Sequence, residues 1–190
     1  YTFPATATAI VRAGHHPVFA DVSLSSWDLT PEIARHCAKE APFEFDAVLP
    51  VCSLGRAQSQ GAWEAFRAET GLPVLVDAAA AFGNQWLPSS SIPYVFSLHA
   101  TKNVGAGEGG FVACDDEGFL DRIRELSNFG LDGPGGVSLH ANSTNAKLSE
   151  YHAAACLASL DRHGAVIQKR KQLATFYRER LQHHCFAEYT

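Results

Sequence analysis

Ser97-Leu98-His99-Ala100-Thr101-Lys102-Asn103-Val104-Gly105-Ala106-Gly107-Glu108-Gly109-Gly110 is the stretch on which the chain is organised. An apolar run, Ile92 to Phe96, leads into it and predicts a strand ending at Ser97. Lys102 then sits in a polar turn. Glycines follow, and a second apolar run, Phe111-Val112-Ala113-Cys114, predicts another strand. A lysine amine at the mouth of a buried sheet is poorly hydrated, which makes it a usable nucleophile.

Upstream, Pro73-Val74-Leu75-Val76-Asp77 predicts a buried strand whose last residue is a carboxylate. An amine and a carboxylate at the ends of two such strands suit a carbonyl cofactor held as a Schiff base. Pyridoxal phosphate needs both, a lysine for its aldehyde and an acid for its ring nitrogen. Ser97, at the strand end, offers a hydroxyl beside backbone N–H groups where a phosphate can bind. Each residue also has a plainer reading: a surface lysine, an aspartate capping its turn, a turn serine. The context of strand, serine, lysine and glycine cluster weakens those readings. Ala78-Ala79-Ala80-Ala81 after Asp77 reads as a shelf of small residues that lets something flat approach the backbone.

Gly105, Gly107 and Gly110 match G-x-G-x-x-G literally, but a dinucleotide fingerprint follows a strand and opens a helix, whereas this one leads into a strand. A phosphate-binding P-loop fails as well, because Lys102 precedes the glycines. Nine histidines, including His15-His16 and His183-His184, show no metal-ligand spacing with cysteine or carboxylate. His99, three residues from Lys102, is the one that shares its turn.

Along the rest of the chain, the spacing predicts a helix over 5–13 stopped by Gly14 and a short strand over 17–22. Thr30-Pro31-Glu32 starts a helix running to Lys39: the threonine caps, the proline fits the first turn and the glutamate suits its positive end. A strand over 46–52 follows, then a helix over 60–70 stopped by Gly71. A helix is expected over 115–127, a mobile Gly-rich connection over 130–141, and helix again from Leu148 to about Leu181 with a break near His163-Gly164. Strands alternating with helices indicate α/β architecture: three layers, with a mainly parallel sheet between helices. In such sheets ligands collect beyond the carboxyl ends of the strands, where Cys52, Asp77 and Ser97 all fall.

The 190 residues and their 46% hydrophobic content are enough for one sizeable core. A net charge of −5 with no basic run argues against a nucleic-acid partner. No apolar stretch approaches a membrane span. Five scattered cysteines, odd in number and without a C-x-x-C pair, read as reduced thiols of a cytoplasmic protein. The chain begins at Tyr1 and contains no Met, so it is expected to be an internal piece of a longer protein.

Four motifs in order carry a resemblance to a known family. They are Tyr1 to Ile10 with Pro17 to Val22, then Val76-Asp77-Ala78-Ala79, then Ser97 to Gly110, then Thr144 to Ala154. Together the chain resembles the DegT/DnrJ/StrS group of pyridoxal phosphate-dependent aminotransferases over nearly its whole length. The resemblance implies a fold-type-I large domain over 1–164, incomplete at its N-terminus, and a helix over 165–190 leading to a small domain not included here. It implies that Lys102 forms the Schiff base and shuttles a proton, that Asp77 pairs with the pyridine nitrogen, that Ser97 binds the phosphate and that Phe3 stacks on the ring. Asn145 would reach the phosphate of a neighbouring subunit, which implies a homodimer with shared active sites. His99 is a candidate substrate contact. Implied substrates are an amino-acid donor, glutamate, and a nucleotide-linked keto-sugar, with the product used in polysaccharide or glycoside synthesis.

Departures from the family pattern touch the substrate more than the cofactor. Ala80 stands where Gln or His is usual, Cys52-Ser53-Leu54-Gly55-Arg56 replaces a His-Leu-Tyr-Gly stretch, and His99 replaces an aromatic residue. Sugar dehydratases of the same family carry histidine at the lysine position, so Lys102 speaks against that activity. A non-catalytic module of this fold is the alternative from another class.

Overall fold

A computed structural model of the chain describes residues 1–132, 136, 137, 140 and 142–181. The first helix, α1 (Pro4–Arg12), starts on a proline that fits its first turn. α2 (Pro31–Glu40) is capped as expected, Thr30 Oγ1 accepting from Ile33 N at 3.4 Å. α3 (Gln60–Thr70) ends on Gly71, whose φ of +72° is the left-handed geometry that favours glycine.

The sheet is built from β1 (Val76–Asp77), β2 (Tyr94–Ser97) and β3 (Gly110–Ala113) in that spatial order. β1 and β2 run parallel, with Asp77 opposite Val95. The 46–52 strand adds a fourth member through parallel bridges Val48–Val74 and Val51–Asp77. β3 is antiparallel to β2 and forms the edge, Ser97 pairing with Gly110. The sheet is therefore mainly parallel with one antiparallel margin, an arrangement common in α/β folds.

Alternation along β1 and β2 assigns the layers. Val76, Tyr94 and Phe96 are buried and pack with Trp63 and Phe66 of α3 and Ala34 of α2. Asp77, Val95 and Ser97 point to the opposite face, since neighbouring residues of a strand face opposite ways. There Thr6 of α1 meets Asp77. Helices thus lie on both sides of the sheet. Trp63, Tyr94 and Phe66 are the largest fully buried side chains of this core, Trp63 and Phe66 packing edge-on at 5.4 Å, and burial of Phe66 is worth about 1.5–3 kcal/mol. Beneath them a closed polar network satisfies every group it buries. Trp63 Nε1 donates to Gln58 Oε1 at 2.9 Å, Gln58 Nε2 to Val51 O at 2.8 Å, and Gln58 N to Gln85 Oε1 at 2.8 Å.

Beyond the sheet come α4 (Glu117–Ser127), capped by Asp116, and an antiparallel pair, β4 (Leu131–Asp132) with β5 (Gly136–Val137). That pair lies within the expected 130–141 connection; residues 133–135, 138, 139 and 141 are outside the described residues, as are His183, His184 and Cys185. α5 (Glu150–Asp161), capped by Ser149, and α6 (His163–Arg180) meet at Arg162. α6 continues through the expected 164/165 division, and its first residue, His163, packs edge-on against Phe82 at 5.3 Å.

One expected element is different. Residues 17–22 are extended but join no ladder among the described residues, and Val18 and Phe19 are exposed. Local alternation supplied the pattern of a strand without a neighbour to bond it.

Candidate active site

The site lies where β1 and β2 end. Asp77 closes β1, its backbone locked by Asp77 N to Pro50 O (2.9 Å) and Cys52 N to Asp77 O (2.8 Å). Its side chain is held on both oxygens. Oδ1 accepts from Ala79 N at 3.0 Å, and Oδ2 accepts from Thr6 Oγ1 at 2.7 Å. Ser97 closes β2, roughly 7 Å further along the strand than Val95, the residue opposite Asp77. Its Oγ accepts from His99 N at 3.2 Å, and among the described residues no acceptor takes its own proton. That proton is available to a phosphate oxygen.

Lys102 follows in a tight turn, Lys102 N donating to His99 O at 2.9 Å, and is half-buried. The loop around it is braced from several directions. Ala100 N bonds Gly107 O at 2.8 Å, Ala106 N bonds Leu98 O at 2.7 Å, and Asn103 Nδ2 donates to Phe82 O at 3.1 Å. Leu98, Val104 and Ala106 form a small buried cluster under it, closed by Phe82 and Cys156. Two glycines are demanded by this closure. A Cβ at Gly105 would sit 2.8 Å from Ala100 O, and one at Gly107, where φ is +93°, would sit 3.0 Å from the His152 ring. Their role is to shape the lysine turn, and the glycine run enters β3 instead of opening a helix.

His99 belongs to the loop itself. Its Nδ1 accepts from Thr101 N at 3.3 Å, which leaves the proton of the neutral ring on Nε2, 3.6 Å from Glu108 Oε1. Phe3 is the N-cap residue of α1 and is 75% exposed, one turn before Thr6. Asn145 bridges Asn128 and is exposed; no contact joins it to Asp77, Ser97 or Lys102 among the described residues. The alanine shelf takes another form. Ala78 and Ala81 are fully buried in the core, and the Ala80 carbonyl faces Gly55, where a Cβ would approach to 2.7 Å. Cys52 is no nucleophile: burial pushes its thiol up to about 12, with the nearby Asp77 charge adding to the effect.

Asp77 and Ser97 thus close neighbouring parallel strands, Lys102 lies in the turn that follows Ser97, and Phe3 starts the helix whose Thr6 meets Asp77. Thr6, Thr2 and Asn103 are the members that sequence reasoning missed. A threonine pair at i, i+4 on a helix start was the only available signal for the first two. An acid, a hydroxyl proton donor and an amine beside a half-open apolar strand face (Val95, 36% exposed) match what pyridoxal phosphate presents: a ring nitrogen, a phosphate and an aldehyde on a flat ring.

The fold is that of a pyridoxal phosphate-dependent transferase large domain of fold type I. Residues 1–188 match the model of the DegT/DnrJ/EryC1/StrS aminotransferase family, and the chain belongs to that family. It is 30% identical over 186 residues to dTDP-4-amino-4,6-dideoxy-D-glucose transaminase of Shigella dysenteriae, covering 96% of this chain and 49% of that protein. Over 134 residues it is 37% identical to the spore coat polysaccharide biosynthesis protein SpsC of Bacillus subtilis strain 168, covering 68% of this chain and 34% of SpsC. Among solved structures, DesI with its TDP-sugar product is 39% identical with a TM-score of 0.82, covering 95% of this chain and 46% of DesI. A Bacillus cereus ATCC 10987 protein described as a PLP-dependent aminotransferase is 30% identical with a TM-score of 0.86, covering 96% and 50%. The chain spans about half the length of the first curated relatives it matches. No helix among the described residues is long and apolar enough to cross a membrane.

Proposed function

We propose that the protein transfers an amino group from glutamate to a nucleotide-linked keto-sugar, in the synthesis of a polysaccharide or glycoside. The observation that supports this reading is that Asp77 and Ser97 close neighbouring parallel strands and Lys102 lies in the turn directly after Ser97. Family membership supports amino transfer, and the names of DesI's ligand and the Shigella relative support a dTDP-linked sugar acceptor.

Bound pyridoxal phosphate supplies an electron sink for the negative charge left when a substrate carbon loses its proton. The chain's residues do the rest. Lys102 Nζ would hold the cofactor's aldehyde end and would supply the base that takes a proton from the substrate carbon. The Asp77 carboxylate would pair with the ring nitrogen and hold a proton there. Ser97 donates its free hydroxyl proton to the phosphate, and Phe3 covers one face of the ring. His99 offers the edge of its half-exposed ring to the sugar. Asn145, exposed beside α4, reaches the phosphate held by a second copy, making a homodimer with shared sites. Free thiols at Cys37, Cys52, Cys114 and Cys156 suit the cytoplasm, where sugar nucleotides are made. The cofactor unit is assigned to 1–164, with 165–190 leading from it.

The test is a mass-spectrometric assay of the intact protein with pyridoxal phosphate, glutamate and a panel of dTDP- and UDP-linked 4-keto-6-deoxyhexoses. Formation of one amino-sugar nucleotide with matching 2-oxoglutarate is expected. Cofactor binding without amino transfer to any member of the panel would overturn the substrate assignment.

A further inference from the structure

Two hydroxyls stand in series behind Asp77. Thr6 Oγ1 lies 2.7 Å from Asp77 Oδ2 and 2.6 Å from Thr2 Oγ1. Chemistry fixes the direction of these bonds. An ionised carboxylate only accepts, so Thr6 donates to Asp77; its single proton is then committed, so Thr2 must donate to Thr6. The order is Thr2 to Thr6 to Asp77. Thr6 is 8% exposed, the only buried residue of α1. The bond joins residues 71 apart in sequence.

Threonine is a poor helix former, and on a helix its hydroxyl commonly bonds back to the carbonyl one turn earlier. Thr8 does this, donating to Pro4 O at 3.0 Å. Thr6 instead reaches across to the sheet. Because Ala79 N already holds Oδ1 at 3.0 Å, the bond from Thr6 fixes the plane of the carboxylate as well as its position. Each oxygen keeps a lone pair for a further partner. The same helix carries Phe3 as its N-cap residue, one turn from Thr6.

We propose that Thr6, supported by Thr2, is a positioning residue that sets the Asp77 carboxylate against the cofactor's ring nitrogen and seats the start of α1 over the site. The proposal rests on the reading of Asp77 as the ring-nitrogen partner. A hydrogen bond to a charged group is strong, and losing one to a binding carboxylate weakens affinity by about tenfold or more.

The experiment is a double-mutant cycle in the intact protein, read as the dissociation constant of pyridoxal phosphate and the melting temperature of the cofactor-free form. Thr6→Val is expected to weaken cofactor binding about tenfold, and Thr6→Ser, which keeps the hydroxyl, to stay within about twofold of wild type. In an Asp77→Asn background, Thr6→Val should cause little further loss, because the relay then ends on a neutral amide. Thr2→Val, at the outer end, serves as the second variant should Thr6→Val fail to fold; a loss of about threefold is expected, again abolished by Asp77→Asn. An equal loss in both backgrounds, or no rescue by serine, would make Thr6 a packing residue and overturn the proposal. A Thr2→Val variant with wild-type affinity would overturn the relay. If Asp77→Asn itself binds the cofactor as wild type does, the underlying reading of Asp77 fails, a result distinct from failure of the relay.

Discussion

Lys102→Ala is expected to abolish measurable amino transfer while leaving a folded protein that still takes up pyridoxal phosphate weakly. Turnover should fall by at least about 10⁴-fold, since both the covalent attachment and the proton carrier are lost with one amine. The turn itself should survive. Its closing bond, Lys102 N to His99 O, is made by backbone, and the loop is held by Asn103 on Phe82 and by the buried Leu98–Val104–Ala106 cluster. Ser97 and Asp77, the proposed partners of the phosphate and the ring nitrogen, are unchanged in this variant. Steady-state kinetics together with a cofactor titration followed by absorbance checks this. A variant with wild-type turnover would remove Lys102 from the chemistry.

Asp77→Asn is the second large effect. The substitution keeps the shape of the side chain and removes its charge. An amide oxygen can still accept from Ala79 N, and its NH₂ group can face the Thr6 hydroxyl in the reversed role. The backbone bonds of residue 77 to Pro50 and Cys52 are untouched, so the sheet should hold. What is lost is the anion proposed to keep a proton on the ring nitrogen. The expected fall in kcat is about 10²–10⁴-fold, the usual range for removing a group that controls a proton. Melting curves measured beside the kinetics distinguish lost chemistry from a lost fold.

Much of this arrangement was legible because it is local. Thr30 capping α2, Gly71 ending α3 and Asp77 closing a run of apolar residues each follow from a few neighbouring side chains. The lysine turn was legible for the same reason: strand, serine, lysine and glycines succeed one another within 14 residues. What escaped is non-local. Thr6 meets Asp77 across 71 residues, Gln58 meets Gln85 across 27, and neither contact leaves a periodic trace. Residues 17–22 erred in the opposite sense. They have the alternation of a strand, but a strand exists only through its neighbour, and none lies beside them among the described residues. The alanines after Asp77 divide between packing and access, and Ala79 and Ala80 stay part-exposed. Ala78 and Ala81 went into the core, and the glycine at 55 yields to the Ala80 carbonyl.

The identity of the amine that holds the cofactor decides whether Lys102 carries the chemistry. Borohydride reduction of the intact protein loaded with pyridoxal phosphate, followed by digestion and peptide mass spectrometry, reads that amine out. The phosphopyridoxyl mass should appear on the peptide containing Lys102 and be lost in Lys102→Ala. Stoichiometric label on Lys39, Lys147 or another lysine, with Lys102 unmodified, would contradict it.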